Sequence, residues 1–342
     1  MKKQPRLTVL MPVYNVEQYV EEAINSVLRQ TYSNFILLVL DDCSTDGTAQ
    51  IVHSISDDRI SYYKQPVNVG LAENLNTGVE MAKTEFISRM DGDDILEKNC
   101  LEKQIRFLDT HLDVDICSVG FNFFGTKTST VFFPEKHEDI KSNHLFGCNV
   151  IVPMLRKRIF TDNNLRYKTS AFPAEDYRMW AECLCIGVRM HTLQEILFYY
   201  RTHADQISTE RRERQIQKTN EVRLFVLEWL STDFTEEQKD IFINKFIPGK
   251  IESKADVKYL HKFVRLIEEH NRKHKNFSGK SLHKRLKYHV SMSAYYSALE
   301  LYFNNGFSLR NYSRFFFSGL FLHIPFGLNL KILAKSLLYK KK

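Results

Sequence analysis

The chain has 342 residues, of which 43% are hydrophobic and 26% are charged, and its formal net charge is +7. This composition is typical of a folded protein with one large or two modest domains, and no stretch reaches about 18 uninterrupted apolar residues, so we expect no transmembrane helix. The apolar run after the basic start is too short for a signal peptide, and the six scattered cysteines lack zinc or redox spacing, which indicates reduced thiols in a cytoplasmic protein.

The N-terminal part of the chain alternates between short apolar strands and helices. Apolar residues at helical spacing follow the first strand, and Asn15 and Gln18 have the spacing of a capping box, so we expect Asn15 to cap the first helix. The alternation predicts the α/β class, with a mostly parallel, Rossmann-like sheet flanked by helices. The predicted strands are Leu7–Pro12, Phe35–Leu40, Ile60–Lys64 and Phe86–Met90.

Polar residues directly follow three of these strands, as Tyr14-Asn15, Asp41-Asp42 and Asp91 to Asp94. Ligands of parallel sheets bind beyond the carboxyl ends of the strands, so we expect a binding site there. No glycine-rich dinucleotide fingerprint or P-loop is present. A site that binds phosphates through acidic residues needs a metal ion between them.

Asp91 and Asp93 are the strongest metal candidates. They are two residues apart with a glycine between them, so both can face one cation. Clustered carboxylates repel one another, and a hard divalent ion is the usual reason for their coexistence. The alternative is a solvated acidic turn that caps the next helix.

The middle of the chain predicts further strands and one helix with two acids in its first turn. That helix opens at Ala174, with Glu175 and Asp176 following. Taken alone, these acids are explained by their favourable interaction with the helix dipole. The predicted strands are Val114–Phe124, a hairpin return within Thr126–Phe133, Cys148–Leu155 and Ile196–Arg201.

With these motifs in view, the chain resembles a family-two glycosyltransferase with a GT-A fold, over about residues 6 to 210. The motifs stand in the family's order and at its usual spacing, and the region from Leu165 to Gln206 is similar to bacterial N-acetylhexosaminyltransferases of lipooligosaccharide synthesis. The matching stretches are Pro12-Val13-Tyr14-Asn15, Asp41 to Thr48, Asn68-Val69-Gly70-Leu71, Arg89 to Asp94, Glu175-Asp176 and Tyr200 to His203.

The resemblance implies roles for individual residues of a nucleotide-sugar site. Tyr14 and the backbone near Val13 would hold the base, and Asp42 would accept a hydrogen bond from the uracil ring. The residues expected to contact the nucleotide sugar are Pro12, Val13, Tyr14, Glu17, Asp42, Gly70 and Asp91.

The resemblance also implies a metal and a catalytic base. Asp93 would bind Mn²⁺ or Mg²⁺ directly, and His203 would reach back to the metal or the diphosphate. Asp91 would either join the metal motif or serve the ribose or a metal-bound water. Asp176 would be the general base that takes the proton of the acceptor hydroxyl.

The chain departs from the family pattern at two places that matter here. Cys43 stands where relatives commonly have glycine, which puts the turn after the second strand in question. Around Val150 to Pro153 the family's acceptor-side pattern is missing, so no acceptor residue is carried over there.

The C-terminal third is helical, aromatic and basic. From Asn271 to Lys342 there are fourteen Lys and Arg and one acid, Glu300, a local charge of +13, which leaves residues 1 to 270 near −6. One interpretation is that the aromatic residues pack a helical subdomain, and the other is peripheral binding to an anionic membrane surface. No nucleic-acid module is recognisable, so we expect no nucleic-acid partner.

These observations predict a catalytic domain over residues 1–210 and a helical basic region over 211–342. We expect an inverting, metal-dependent transferase that moves a hexose or N-acetylhexosamine from a UDP-sugar donor to a glycan or lipid-linked saccharide acceptor, in the cytoplasm or on the inner face of the membrane. The alternative is a catalytically silent nucleotide-sugar-binding or scaffold protein on the same fold, which would be expected to lose Asp93 or Asp176.

Overall fold

The structure is a computed structural model that describes residues 4–126, 128–203 and 212–338. Its strands are β1 (Leu7–Val13), β2 (Phe35–Asp41), β3 (Ile60–Lys64), β4 (Phe86–Arg89), β5 (Ile95–Leu96), β6 (Ile116–Gly125), β7 (Ser129–Val131), β8 (Met154–Arg156) and β9 (Met190–Thr202). Its first seven helices are α1 (Val20–Leu28), α2 (Thr48–Ser54), α3 (Leu71–Met81), α4 (Cys100–Thr110), α5 (His137–Asn143), α6 (Arg158–Thr161) and α7 (Glu175–Cys185).

The strands form one mixed sheet in the order β3-β2-β1-β4-β8-β6-β9-β5, with β7 paired to β6. β1 pairs in parallel with β2 and β4, β2 with β3, and β6 with β9, whereas β8 runs antiparallel to both β4 and β6. Six of the nine strands in the described residues therefore run in one direction. The prediction of a mostly parallel α/β sheet is confirmed.

The central strands carry apolar residues on both faces because both faces are covered. All seven residues of β1 are buried, and β2 is buried except at Ile36. Helix α1 adds Val20, Ile24 and Val27, which recur at helical spacing and are fully buried. These strands and α1 therefore share one core, which includes Val13 at the end of β1, next to the polar residues Tyr14-Asn15.

Two strand predictions in the middle of the chain are corrected. The segment Cys148–Leu155 is extended only from Met154, because Val152 has φ 41° and Pro153 follows it, which interrupts a regular strand. The strand expected at Ile196–Arg201 is longer and begins at Met190, with a register irregularity opposite Val119 to Phe121.

The chain divides into two compact units between Val222 and Arg223. The second unit is helical, as predicted, and includes a short π-helical segment at Phe242–Phe246. Within the described ranges, no helix has the length and apolar character needed to cross a membrane. The remaining helices are α8 (Arg212–Leu230), which spans the division, α9 (Glu236–Ile241), α10 (Lys254–His274), α11 (Gly279–Phe303), α12 (Leu309–Phe317) and α13 (Phe326–Leu338).

Candidate active site

The carboxyl ends of β1 and β2 lie side by side, and β4 ends next to β1. Val13 is in register with Asp41, and the backbone N–H of Asp42 donates to the carbonyl of Val13 at 2.9 Å. Pro12 and Val13 are buried, whereas Tyr14, the next residue, is 49% exposed. An aromatic ring at the mouth of this edge is available to a flat ligand such as a base.

Asp42 organises the loop that precedes α3. Its two carboxylate oxygens accept hydrogen bonds from the backbone N–H groups of Val69, at 2.7 Å, and Gly70, at 2.9 Å. Burial raises the pKa of Asp42, and these two N–H groups oppose the rise. Each carboxylate oxygen keeps a second lone pair, so Asp42 can hold the loop and still accept from a ligand.

Gly70 has φ 83°, a conformation that a side chain disfavours. A Cβ built at this position meets no atom within 4 Å, so the backbone conformation and not a lack of space calls for glycine. The loop beside Asp42 is therefore open to solvent at Gly70, as a binding pocket requires.

Asp41, the other acid of the pair, has a structural role that the sequence did not reveal. Its side chain is fully buried and accepts from the backbone N–H of Ser44 at 2.7 Å and from the hydroxyl of Tyr62. Cys43, in the turn that the contact between Asp41 and Ser44 closes, has φ 66°. This left-handed position explains why the related motif commonly has glycine where this chain has cysteine.

The loop after β1 is tied to the turn after β2. The side-chain oxygen of Asn15 accepts from the backbone N–H of Thr45 at 2.9 Å, and Glu17 Oε2 accepts from the backbone N–H of Gly47 at 2.6 Å. The expectation that Asn15 caps a helix is wrong, because α1 begins only at Val20 and Asn15 binds across to the turn. Glu17 is likewise engaged with the turn.

Arg89, at the end of β4, joins two acidic parts of the site. Its Nε and Nη2 atoms donate to the two carboxylate oxygens of Asp91, at 2.9 and 3.1 Å, and its Nη1 lies 3.8 Å from Glu175 Oε1. Glu175 is buried, and burial followed by the charge of Asp176 raises its pKa. Glu175, in the first turn of α7, therefore faces the partly buried guanidinium of Arg89 as well as the helix dipole.

Asp93 lies in contact with His203, the last residue described after β9 and before α8. His203 Nε2 lies 3.1 Å from Asp93 Oδ2, and the ring of His203 lies over that of Tyr19 at 4.6 Å between centroids. Burial and the nearby charge of Asp91 raise the pKa of Asp93, and His203 opposes the rise. A carboxylate in this setting is stabilised in its charged form by a cation.

Asp94 connects the acidic turn, residues 91 to 94, to the end of β9. It is buried, and its Oδ1 accepts from the backbone N–H of Arg201 at 2.8 Å. The side chain of Arg201 donates to the carbonyl of Asp93 at 2.7 Å. The acidic turn is therefore locked to the end of β9, which carries His203 next to Asp93.

Of the three candidate metal ligands, Asp91, Asp93 and His203, only Asp93 and His203 lie in contact with each other in this structure. No group of three His, Cys, Asp or Glu side chains is arranged to hold a metal ion within the ranges 4–126, 128–203 and 212–338. Asp93 and His203 form a pair, whereas Asp91 is held by Arg89. Two protein ligands are compatible with Mg²⁺-like ions, which usually complete their coordination with substrate phosphates and water.

Asp176 lies in the first turn of α7 and is partly exposed. Its Oδ1 accepts from the backbone N–H of Tyr177 at 2.6 Å, and the thiol of Cys148 lies 3.8 Å from its Oδ2. Burial raises the pKa of Asp176, while the charge of Arg89 lowers it. A carboxylate with a raised pKa is a stronger base, which suits a group that takes a proton from a hydroxyl.

Sequence reasoning placed Arg89 in a matching motif but gave it no role, and it did not name Cys148 as part of this site. For Arg89 a signal of that role was present, because a charged residue in a strand that is covered on both faces needs a partner of opposite charge. Cys148 carried no such signal, since it lies in a segment whose conformation is irregular.

Comparison with known proteins bears on this geometry. Residues 8–169 match the sequence model described as glycosyl transferase family 2. EpsE of Bacillus subtilis, named as a glycosyltransferase, is 31% identical over 211 residues, which cover 60% of this chain and 76% of EpsE. The UDP-Glc:alpha-D-GlcNAc-diphosphoundecaprenol beta-1,3-glucosyltransferase WfaP of Escherichia coli is 27% identical over 219 residues, which cover 63% of this chain and 84% of WfaP.

Two similar solved structures show the fold. S. aureus TarS residues 1–349, in complex with UDP-GlcNAc, has a TM-score of 0.59 and 19% identity, covering 93% of this chain and 90% of that chain. The mannosyltransferase PcManGT from Pyrobaculum calidifontis, in complex with GDP-Man and Mn²⁺, has a TM-score of 0.53 and 16% identity, covering 99% and 89%. The predicted GT-A fold is confirmed.

Proposed function

Because this chain belongs to glycosyl transferase family 2, we propose that it is an inverting, metal-dependent enzyme that moves a hexose or N-acetylhexosamine from a UDP-sugar to a hydroxyl group of a glycan acceptor. The observation that carries the proposal is the position of Asp176. Its carboxylate is fixed by the Tyr177 backbone N–H at the start of α7 and lies in the field of Arg89, which also holds Asp91 of the acidic motif.

We assign the donor nucleotide to the edge formed by β1, β2 and the loop before α3. Tyr14 offers an exposed ring, and Asp42 offers carboxylate lone pairs beside the open backbone of Gly70. Glu17 contributes by holding the turn at Gly47 against this edge. Two similar proteins support a uridine nucleotide, since TarS is solved with UDP-GlcNAc and WfaP is named for UDP-Glc.

We assign the metal, Mn²⁺ or Mg²⁺, to Asp93 and His203, with Asp91 nearby. The fit rests on the contact of 3.1 Å between Asp93 and His203 and on the raised pKa of Asp93, whose charged form a cation favours. When bound, such an ion neutralises the charge that develops on the leaving diphosphate. The similar structure of PcManGT, which contains Mn²⁺, supports this assignment.

Asp176 then accounts for the proton of the acceptor hydroxyl. Asp176 accepts the proton of the acceptor hydroxyl while that oxygen forms a bond to the anomeric carbon, and the bond from that carbon to the diphosphate oxygen breaks with its electron pair. One in-line displacement of this kind inverts the anomeric centre. The charge of Arg89 favours the ionised form of Asp176 and opposes the rise in its pKa that burial causes.

We place these steps in residues 1–210 and infer that the acceptor is lipid-linked, in surface polysaccharide or lipooligosaccharide synthesis at the cytoplasmic face of the membrane. WfaP supports this inference, because its name specifies a diphosphoundecaprenol-linked acceptor. The residues proposed here for donor, metal and proton all lie within the first of the two compact units.

The test is a panel of nucleotide sugars, incubated with the purified chain and Mn²⁺ or Mg²⁺, and scored for release of the free nucleoside diphosphate. We expect release of UDP from one or a few UDP-sugars, with loss of the signal on chelation and its return when the metal is restored. Release of another nucleotide, or release that survives chelation, would contradict the donor or the metal. Binding of UDP with no turnover on lipid-linked acceptors would favour the silent binding protein.

A further inference from the structure

Helix α13 (Phe326–Leu338) has its apolar side turned outward. Phe326 is 74% exposed, and Leu330, Leu337 and Leu338 are 47%, 61% and 80% exposed. Phe326, Leu330 and Leu337 share one face of the helix, since residues four and seven apart lie above one another, and Leu338 lies at the edge of that face. The buried side is formed by Asn329, Ile332 and Ser336 instead.

The side-chain N–H groups of Asn329, on the buried side, bind the segment that precedes α13. The side-chain amide of Asn329 donates to the carbonyls of Phe321, at 3.0 Å, and Ile324, at 3.1 Å. The Ser336 hydroxyl donates to the carbonyl of Ile332 at 2.9 Å. Asn329 thereby fixes the turn before α13, in which Leu322 is 80% exposed.

The preceding helix, α12, continues the same kind of surface. Phe315 is fully buried, but Phe317 is 79% exposed. Arg310 and Arg314 are exposed and lie on the same side of α12 as Phe317, by the spacing of four and three residues. Phe315 packs inside the helical unit, which is one of the two interpretations of the C-terminal aromatic residues. Phe317 is exposed and is available to an external partner.

Charge identifies the partner. The stretch from Leu301 to Leu338 contains four cationic residues, Arg310, Arg314, Lys331 and Lys335, and no Asp or Glu. Lys331 and Lys335 are exposed on α13, within one turn of Leu330 and Leu338. A surface of exposed aromatic and aliphatic residues flanked only by cations suits the headgroup region of an anionic bilayer.

We propose that the exposed face of α12 and α13, formed by Phe317, Leu322, Phe326, Leu330 and Leu337 with Arg310, Arg314, Lys331 and Lys335, is a docking surface for anionic phospholipid. The apolar residues enter the headgroup boundary, and the cations bind the phosphates around it. Contiguous exposed apolar residues commonly mark a site of interaction with a partner or a membrane. The proposal rests on exposure and charge and does not depend on the proposed reaction.

The first test is sedimentation of the full-length chain with vesicles of phosphatidylcholine alone or with about 30% phosphatidylglycerol, a fraction that gives a strongly negative surface. We expect binding to the anionic vesicles and its weakening at high salt. The triple variant Phe317→Ser/Leu322→Ser/Phe326→Ser should bind at least about tenfold more weakly, since each side chain loses apolar burial. The matched control is Leu112→Ser/Ile186→Ser, which removes exposed apolar residues of the first unit, 72% and 47% exposed, and should bind as the wild type does.

The charges are tested separately, which also covers the case that the triple variant fails to fold. Arg310→Gln/Lys331→Gln should weaken binding to anionic vesicles by about tenfold or more, at roughly 1 kcal/mol for each cation. Lys83→Gln/Lys136→Gln, which removes two exposed lysines of the first unit, should leave binding unchanged.

Three results would overturn the proposal. Equal sedimentation with and without phosphatidylglycerol would show that the chain does not recognise anionic lipid. Unchanged binding of a folded triple variant would show that this face is not the docking surface. A wild-type oligomer that becomes monomeric in the triple variant, with no vesicle binding by either, would show that this face is an interface between copies of the chain. Since no readout involves sugar transfer, failure here leaves the proposed reaction standing, and failure of the nucleotide-sugar panel leaves the docking surface standing.

Discussion

The guanidinium of Arg89 binds both carboxylate oxygens of Asp91, with Nε 2.9 Å from Oδ1 and Nη2 3.1 Å from Oδ2. The same side chain lies 3.8 Å from Glu175. Paired, planar contacts of this kind fix direction as well as charge. Arg89 therefore links the acidic motif at the end of β4 to the helix start that carries Asp176.

This link predicts a pH effect. Arg89 lowers the pKa of Asp176, so Arg89→Met should raise that pKa. A general base works only when ionised, and the acid limb of the kcat/KM profile should therefore move to higher pH in the variant. Measurement of kcat/KM against pH with the donor identified by the nucleotide-sugar panel checks this.

The control for Arg89 is Arg89→Lys, which keeps the positive charge and loses the paired contact. It should leave the acid limb close to that of the wild type even if the maximal rate falls. An acid limb in Arg89→Met that stays in place or moves to lower pH would show that Arg89 does not act on the base.

The metal assignment predicts the behaviour of Asp93 and His203. Asp93→Ala should abolish the strengthening of donor binding by Mn²⁺, a loss of about a hundredfold, since even groups that only orient metal ligands contribute 10–100-fold. His203→Ala should lose part of it, because one ligand remains. Calorimetric titration of UDP in the presence of Mn²⁺ and of chelator separates the metal-dependent part.

Asp162→Ala provides the comparison for these titrations, as it removes an exposed acid at the end of α6. This variant should bind UDP as the wild type does, both with Mn²⁺ and with chelator. If Asp93→Ala kept the full Mn²⁺ effect, the ion would have to be held by other residues.

The conformation of Cys43, in the turn after β2, predicts that two substitutions there change the stability in opposite directions. Cys43 is at φ 66°, where a side chain costs roughly 1–2 kcal/mol and a β-branched one more. Cys43→Gly should raise the free energy of unfolding by about 0.5–1 kcal/mol, because relief of this cost exceeds the added entropy of the unfolded chain. Cys43→Val should lower it by about 1–2 kcal/mol.

Urea unfolding of the three proteins measures both changes. A Cys43→Gly variant that is less stable than the wild type would mean that the thiol makes a contact worth more than the backbone strain. The Cys43 Sγ atom lies 4.0 Å from the carbonyl of Pro66, a weak contact at that distance.

The sequence predicted those parts of the fold and site that depend on local pattern. The runs from Leu7 and Phe35 are apolar because both faces of the central strands are covered, and the acids after them mark the carboxyl ends of parallel strands. The order of the strands along the chain therefore predicts that Asp42 and Asp91 lie at one edge of the sheet.

The remaining features depend on pairing between distant parts of the chain. The contact of Arg89 with Glu175 and that of Asn15 with Thr45 are set by tertiary packing, which local spacing does not encode. The irregular backbone at Val152 broke a strand whose composition favoured β-structure. The sequence alone also did not show that apolar residues of α13 face outward, because apolar residues at helical spacing normally predict a buried face.

The base assignment of Asp176 is the central claim, and one variant tests it most directly. Asp176→Asn keeps the size of the side chain and removes its basicity, so donor binding in the presence of Mn²⁺ should be unchanged while kcat falls by about a hundred- to ten-thousandfold. Glu182→Gln, a carboxylate on the same helix that pairs with Arg178, should keep near-normal kcat. Near-normal turnover by Asp176→Asn would contradict the assignment, and the base would have to be sought elsewhere in the site.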